Sequence, residues 1–198
     1  CQSTLAGLFA TPECAGNFDG ANRLAGNGVS ATQVFGACAG ATAHRWAAAQ
    51  PDLTPDAASL AAQTERVARR IAGKAQPAPV LRPLREQLRS AVQAYAGVER
   101  DGQGLVRLAE IAASVEAALS AATVPPVSCY NQQLVELLQL ETMCTTARLI
   151  AGSALLREES RGHHFRRDFP SVDELNWRRH TTALPGPAGP VFGTRAVE

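Results

Sequence analysis

The stretch DGANRLAGNG, residues 19–28, sets Asp19, Asn22, Arg23 and Asn27 among three glycines and runs straight into VSATQVFGACAGATAHRWAAA. A glycine-rich turn that opens a helix presents backbone N–H groups with no intrahelical acceptor, which suits an anion or the polar edge of a cofactor. Arg23 offers a planar fork of donors that can clamp a carboxylate, and a solvated loop charge is the plainer use of the same residue. Glu13 follows the apolar run STLAGLFA and Pro12. Open α/β sheets place ligand contacts at the C-terminal ends of strands, so a carboxylate there is a candidate, against the alternative of a loop charge in water.

Other reactive side chains read as structural. His163 and His164 are adjacent and so point apart, and neither they nor His180 and Asp168 show metal-ligand spacing. A hydrogen-bonding cluster, with no metal, is the reading. The five cysteines (Cys1, Cys14, Cys38, Cys129 and Cys144) are odd in number and form no C-x-x-C pair. They are expected to be buried free thiols in a reducing cytosol. Cys14 has no neighbouring base in the sequence and Cys38 falls in mid-helix, which makes neither a nucleophile.

The elements that must position these residues fall into four segments. Residues 1–50 read as a short strand, the glycine-rich loop and a helix from about Val29 to Ala49. A lone strand leaves both edges unpaired, so this is expected to be the terminal strand–loop–helix piece of a larger α/β domain. Residues 51–79 read as a helix and linker, with Thr54 as cap, Pro55 in the first position, and Leu60, Val67 and Ile71 at helical spacing. The break QPAPVLRP follows.

Three amphipathic helices then occupy 80–160. Leu84, Leu88, Val92 and Tyr95 mark the first, which ends at Gly97. Leu105, Leu108, Ile111, Val115 and Leu119 mark the second, from about Gly104 to Ala122. Leu134, Leu137, Leu138, Glu141, Cys144, Thr145 and Leu149 lie along the third, from about Tyr130 to Glu158. Short connections make an antiparallel three-helix bundle the economical solution. Residues 161–198, basic and rich in Pro and Gly, read as an irregular extended tail packing back on the first piece. The fold expected is mainly α.

Composition narrows the function classes. At 198 residues and 45% hydrophobic, the chain can bury a real core. Nineteen Lys and Arg against eighteen Asp and Glu give a formal charge of +1, which leaves no electrostatic footprint for nucleic acid or anionic membrane. No apolar run reaches the roughly 18 residues needed to span a bilayer. The start lacks both an initiator Met and the charged and apolar regions of a signal peptide, so a cytoplasmic protein with preceding residues is expected.

Two ordered motifs carry a resemblance. GLFATPECAGNFDGANRLAGNGVSATQVFGACAG (7–40) is similar to the closing segment of the flavin domain in the fumarate reductase/succinate dehydrogenase flavoprotein family, which includes L-aspartate oxidase. That family reads G-L-Y/F-A-x-G-E, then H-G-A-N-R-L-x-x-N-S-L, then a helix containing V-F-G. LREESRGHHFRRDFPSVDELNWRRH (156–180) resembles its T-E-S-R-G-x-H-x-R-x-D-x-P…W motif.

The resemblance implies an FAD-dependent oxidoreductase of which this chain is a C-terminal portion or small subunit, inert by itself and with no catalytic residue of its own. Glu13 would meet the ribityl or ribose part of FAD. The backbone at Asn27, Gly28 and Val29 would meet the flavin pyrimidine edge, and Arg23 would grip a substrate carboxylate. Pro12, Asp19 and Gly28-Val29 depart from the family's Gly, His and Ser-Leu. Asp19 would then either pair with Arg23 or recognise an amine or hydroxyl on the substrate.

The GxGxxG motif, the flavin-attachment histidine and the acid/base arginine are expected on an upstream segment or partner chain that shares the FAD. An iron–sulfur or other electron-transfer subunit is a further implied partner. Arg161, His163 or His164, Arg166 and Asp168 are expected to be structural, joining the third helix to the flavin-domain piece. A non-catalytic helical module stabilising a partner subunit is the alternative function.

Overall fold

The computed structural model describes residues 1–16, 19–71, 81–127, 129–187 and 189–197. Most of the proline-rich break therefore lies outside the described residues. The chain divides into two compact units, Cys1–Ala57 and Ala58–Glu198.

In the first unit, the apolar run after Cys1 forms a tight turn where a strand was expected. Gln2 and Phe9 make one isolated antiparallel bridge. Ser3 N donates to Leu8 O and Ala10 N to Cys1 O, each at 2.9 Å. Gly7, at φ +82°, closes the turn against Trp46, whose ring would lie 2.7 Å from a Cβ at that position. Only glycine combines that backbone with that approach. The turn leaves Leu5 and Leu8 exposed, so the apolar content of the run was not a mark of a half-buried strand. A one-turn 3-10 helix, Pro12–Cys14, and the loop lead to α1, Asn27–Ala48.

The next helix, α2, spans Ala57–Ile71, starts directly after Asp56 and belongs to the second unit from Ala58 on. The expected start, with Thr54 as cap and Pro55 as first residue, lies upstream of the observed one. None of the α2 residues is buried. Polar contacts hold its end instead: Arg70 Nη1 donates to the carbonyls of Leu119, Ser120 and Ala122 at 2.8–3.1 Å, and Arg70 Nη2 pairs with Glu141. Those carbonyls end the next-but-one helix, where a cation complements the dipole.

The core belongs to α3 (Leu81–Tyr95), α4 (Gly102–Ser120) and α5 (Gln132–Leu156), which pack on one another. Asp101 caps α4 by accepting from Gly104 N at 2.8 Å, and Asn131 caps α5 by accepting from Leu134 N at 3.0 Å. In α5 the buried residues Leu137, Leu140, Cys144, Ala147, Ala151 and Ala154 recur at alternating steps of three and four, and Leu105, Leu108, Ala112, Val115 and Leu119 do the same in α4. Such spacing makes a narrow apolar seam for close helix packing. Arg85, early in α3, pairs with Glu136, early in α5. A Cβ on Gly102, at the start of α4, would lie 3.8 Å from Leu155 at the end of α5.

Among the described residues, four short strands complete the unit. β1 (Glu99–Arg100) pairs in parallel with β2 (Phe165–Arg166). β3 (Arg179–Leu184) and β4 (Val191–Ala196) form an antiparallel hairpin, Arg179 opposite Ala196 and Leu184 opposite Val191. The tail thus holds a hairpin where an irregular segment was expected, with Leu184 and Val191 as its last paired residues. The hairpin packs on α5, where a Cβ on Gly152 would come within 2.2 Å of the Phe192 ring.

Candidate functional site

Glu13, Arg23 and Gly28 come together in the first unit. Arg23 Nη1 lies 3.4 Å from Glu13 Oε1. Gly28 is buried beneath them. A Cβ on Gly28 would overlap Arg23 Nη1 and meet Glu13 Oε1 at 2.9 Å. The helix start beside this group is open. Gly26, at φ 88°, stands in the N-cap position and no side chain caps the first turn of α1. Asn27 N makes only a long bond, 3.3 Å, to Leu24 O. The positive end of the dipole of a 22-residue helix therefore lies where Glu13 and Arg23 stand.

The remaining candidates are less engaged. Asn27 and Val29 are exposed, and so is Asp19, which takes part in no ion pair among the described residues. Arg23 pairs with Glu13, so the Asp19–Arg23 pairing weighed from the sequence does not form. The cysteines also differ from expectation. No disulfide joins any two of them, but Cys144 alone is buried, and burial pushes its thiol up to about 11. Cys1, Cys14, Cys38 and Cys129 are exposed, because α1 and the connecting loops cover little of their own surface.

The second motif builds a buried ionic clamp. Arg166 is 2% exposed and bridges two helix ends. Its Nη1 donates to the carbonyls of Ala154, Leu155 and Arg157 at 2.8–3.3 Å, closing the C-terminus of α5. Its Nε and Nη2 reach Asp168 Oδ1 and Oδ2 at 2.7 and 2.6 Å. Asp168 in turn accepts from Gly102 N, at the N-terminus of α4, at 2.9 Å. The Arg166 fork and that amide hold the Asp168 carboxyl well below the usual range.

His164 donates from Nε2 to Arg157 O at 3.2 Å, so its Nδ1 accepts from Arg100 Nη1 at 3.0 Å. Burial pushes the His164 pKa down, helped by the nearby arginines and opposed by the Arg157 carbonyl.

Sequence reasoning missed Arg100, Arg157 and Glu159 in this clamp. Glu159 is fully buried, accepts from Arg161 Nε at 2.9 Å and Asp173 N at 2.9 Å, and pairs with Arg157. Burial works to raise its pKa, but the Arg161 and Asp173 hydrogen bonds outweigh it and leave the group below its ordinary value. The dense alternation of sign in REESRGHHFRRD was the available signal. Among the described residues, no three His, Cys, Asp or Glu side chains converge as a metal would require, and no helix is long and apolar enough to cross a membrane.

The chain belongs to the fumarate reductase flavoprotein C-terminal family, whose model matches residues 85–198. It is 36% identical over 186 residues to the fumarate reductase flavoprotein subunit of Mycobacterium tuberculosis, covering 90% of this chain and 32% of that protein. It is 36% identical over 183 residues to the L-aspartate oxidase of Caulobacter vibrioides, covering 91% of this chain and 28% of the relative.

A quinol–fumarate reductase solved with menaquinol molecules superposes with a TM-score of 0.89 at 25% identity, covering 100% of this chain and 35% of the other. The chain thus spans about a third of the length of these relatives.

Proposed function

We propose that this chain acts as the C-terminal part of an FAD-dependent oxidoreductase of the fumarate reductase/succinate dehydrogenase flavoprotein type. The observation that carries the reading is the meeting of Glu13, Arg23 and Gly28 at the open start of α1. Its chemistry fits a flavin. A flat polar ring edge needs backbone donors, and the first turn of α1 offers amides with no side-chain cap and, at its second residue, a glycine that adds no side chain of its own. When bound, FAD would accept or donate the hydride.

The chain's own residues would do the following. The amides at Asn27, Gly28 and Val29 hold the pyrimidine edge, where the positive end of α1 favours negative charge. Glu13 accepts from ribityl or ribose hydroxyls. Arg23 orients a substrate carboxylate, and Asp19 faces an amine or hydroxyl on the same molecule. The dinucleotide-binding part, the acid/base group and the rest of the FAD contacts come from an upstream segment or a partner chain. An iron–sulfur or other electron-transfer subunit is the further partner we infer. The second unit serves as an antiparallel three-helix support, a reading supported by the Arg85–Glu136 pair and the approach of Gly102 to Leu155.

The test uses the flavoprotein that carries this chain. Its visible spectrum is expected to show bound flavin, and Glu13→Ala is expected to weaken FAD binding by roughly 1–3 kcal/mol, because hydroxyls lose their acceptor. A colourless protein that FAD titration leaves unchanged would refute the assignment.

A further inference from the structure

Glu13 and Arg23 are each assigned a different ligand, yet in this structure they hold one another. Their pairing depends on the residue beneath. The Arg23 guanidinium lies where a side chain at position 28 would begin, with Nη1 overlapping a Cβ built there and Cζ 2.7 Å from it. Gly28 does not have a positive φ, so its backbone would accept alanine. What the glycine supplies is space, not conformation.

We propose that Gly28 is a positioning residue that parks Arg23 against Glu13 across the first turn of α1, coupling carboxylate capture to flavin capture. This rests on the reading above. A ribityl hydroxyl that engages Glu13 releases Arg23 for a carboxylate, and a carboxylate that engages Arg23 releases Glu13. The first ligand has to open the pair and the second finds it open, so each strengthens the other by the same factor. The side chains are 43% and 64% exposed, which makes this a screened surface pair and sets the factor at about two- to five-fold.

The experiment takes the flavoprotein containing this chain, strips its flavin, and titrates it calorimetrically with malonate as a small carboxylate probe. Gly28→Ala and Glu13→Gln, which unpark Arg23 by different routes, are each expected to bind malonate about two- to five-fold more tightly than the parent. Saturation with FAD is expected to tighten malonate binding in the parent by more than in either variant, by that same factor. Equal malonate affinity in the parent and both variants would overturn the parking of Arg23 while leaving the proposed function intact. Malonate binding that survives Arg23→Ala would overturn both, since Arg23 would then not be the carboxylate grip.

Discussion

Replacing Arg166 with alanine should unlatch two helix ends at once. The guanidinium is 2% exposed, pairs in a fork with Asp168, and donates to three carbonyls at the end of α5. Removing one partner of a buried ion pair costs about 3–5 kcal/mol, chiefly because the other charge is stranded. Asp168 is 35% exposed and keeps the Gly102 amide, so it can be partly rehydrated and the lower end applies, about 3 kcal/mol. For a chain of 198 residues, this corresponds to a fall in Tm of roughly 6–12 °C. Arg166→Lys should recover little, since an ammonium cannot span both the carboxylate and the carbonyls. Thermal unfolding followed by circular dichroism reads both variants. A Tm within about 2 °C of the parent, combined with lost turnover in the assembled flavoprotein, would refute the structural role and move Arg166 to the reaction.

Two further outcomes are expected. His164 is held neutral, its folded pKa below the unfolded value, so its contribution to stability is complete above the unfolded pKa of about 6.5 and is lost as pH falls from there toward the folded pKa. Urea midpoints between about pH 7 and 5.5 should fall in the parent and stay flatter in His164→Gln. Gly152→Ala should drive the Phe192 ring off α5 and cost more than the helix gains from alanine; a lowered Tm checks it, and an unchanged Tm would contradict it.

The helices were legible because their signals are local. Leu105, Leu108, Val115 and Leu119 keep α4's spacing, and all are buried. In α5 apolar spacing points correctly to Leu137 and Cys144 but also to Thr145, which is exposed, because Ala147, Ala151 and Ala154 line the seam without looking apolar enough to mark it. The turn at Gly7 is hidden because Leu5, Leu8 and Phe9 have strand-like composition while the deciding partner, Trp46, lies far along the chain. The hairpin is hidden for the opposite reason: the Pro/Gly run draws attention from Thr181, Thr182, Phe192 and Thr194 on its flanks. At the candidate site, residue types named Glu13 and Arg23. No sequence rule says that they pair with each other over Gly28, which depends on how the loop folds back on α1.

The arginine–aspartate clamp also orders events in time. Arg166 and Asp168 follow both helices they fasten, so a chain growing from its N-terminus produces α4 and α5 before the latch that joins them exists. Domains fold as they emerge from the ribosome, and an apolar seam collapses as soon as its helices are out. The final carbonyls of α5 and the first amide of α4 must nevertheless wait on water until Arg166 and Asp168 appear. In that interval the end of the bundle is open to proteases and chaperones. Synthesis of the short segment after Leu156 supplies the two side chains that close the end of α5 and the start of α4.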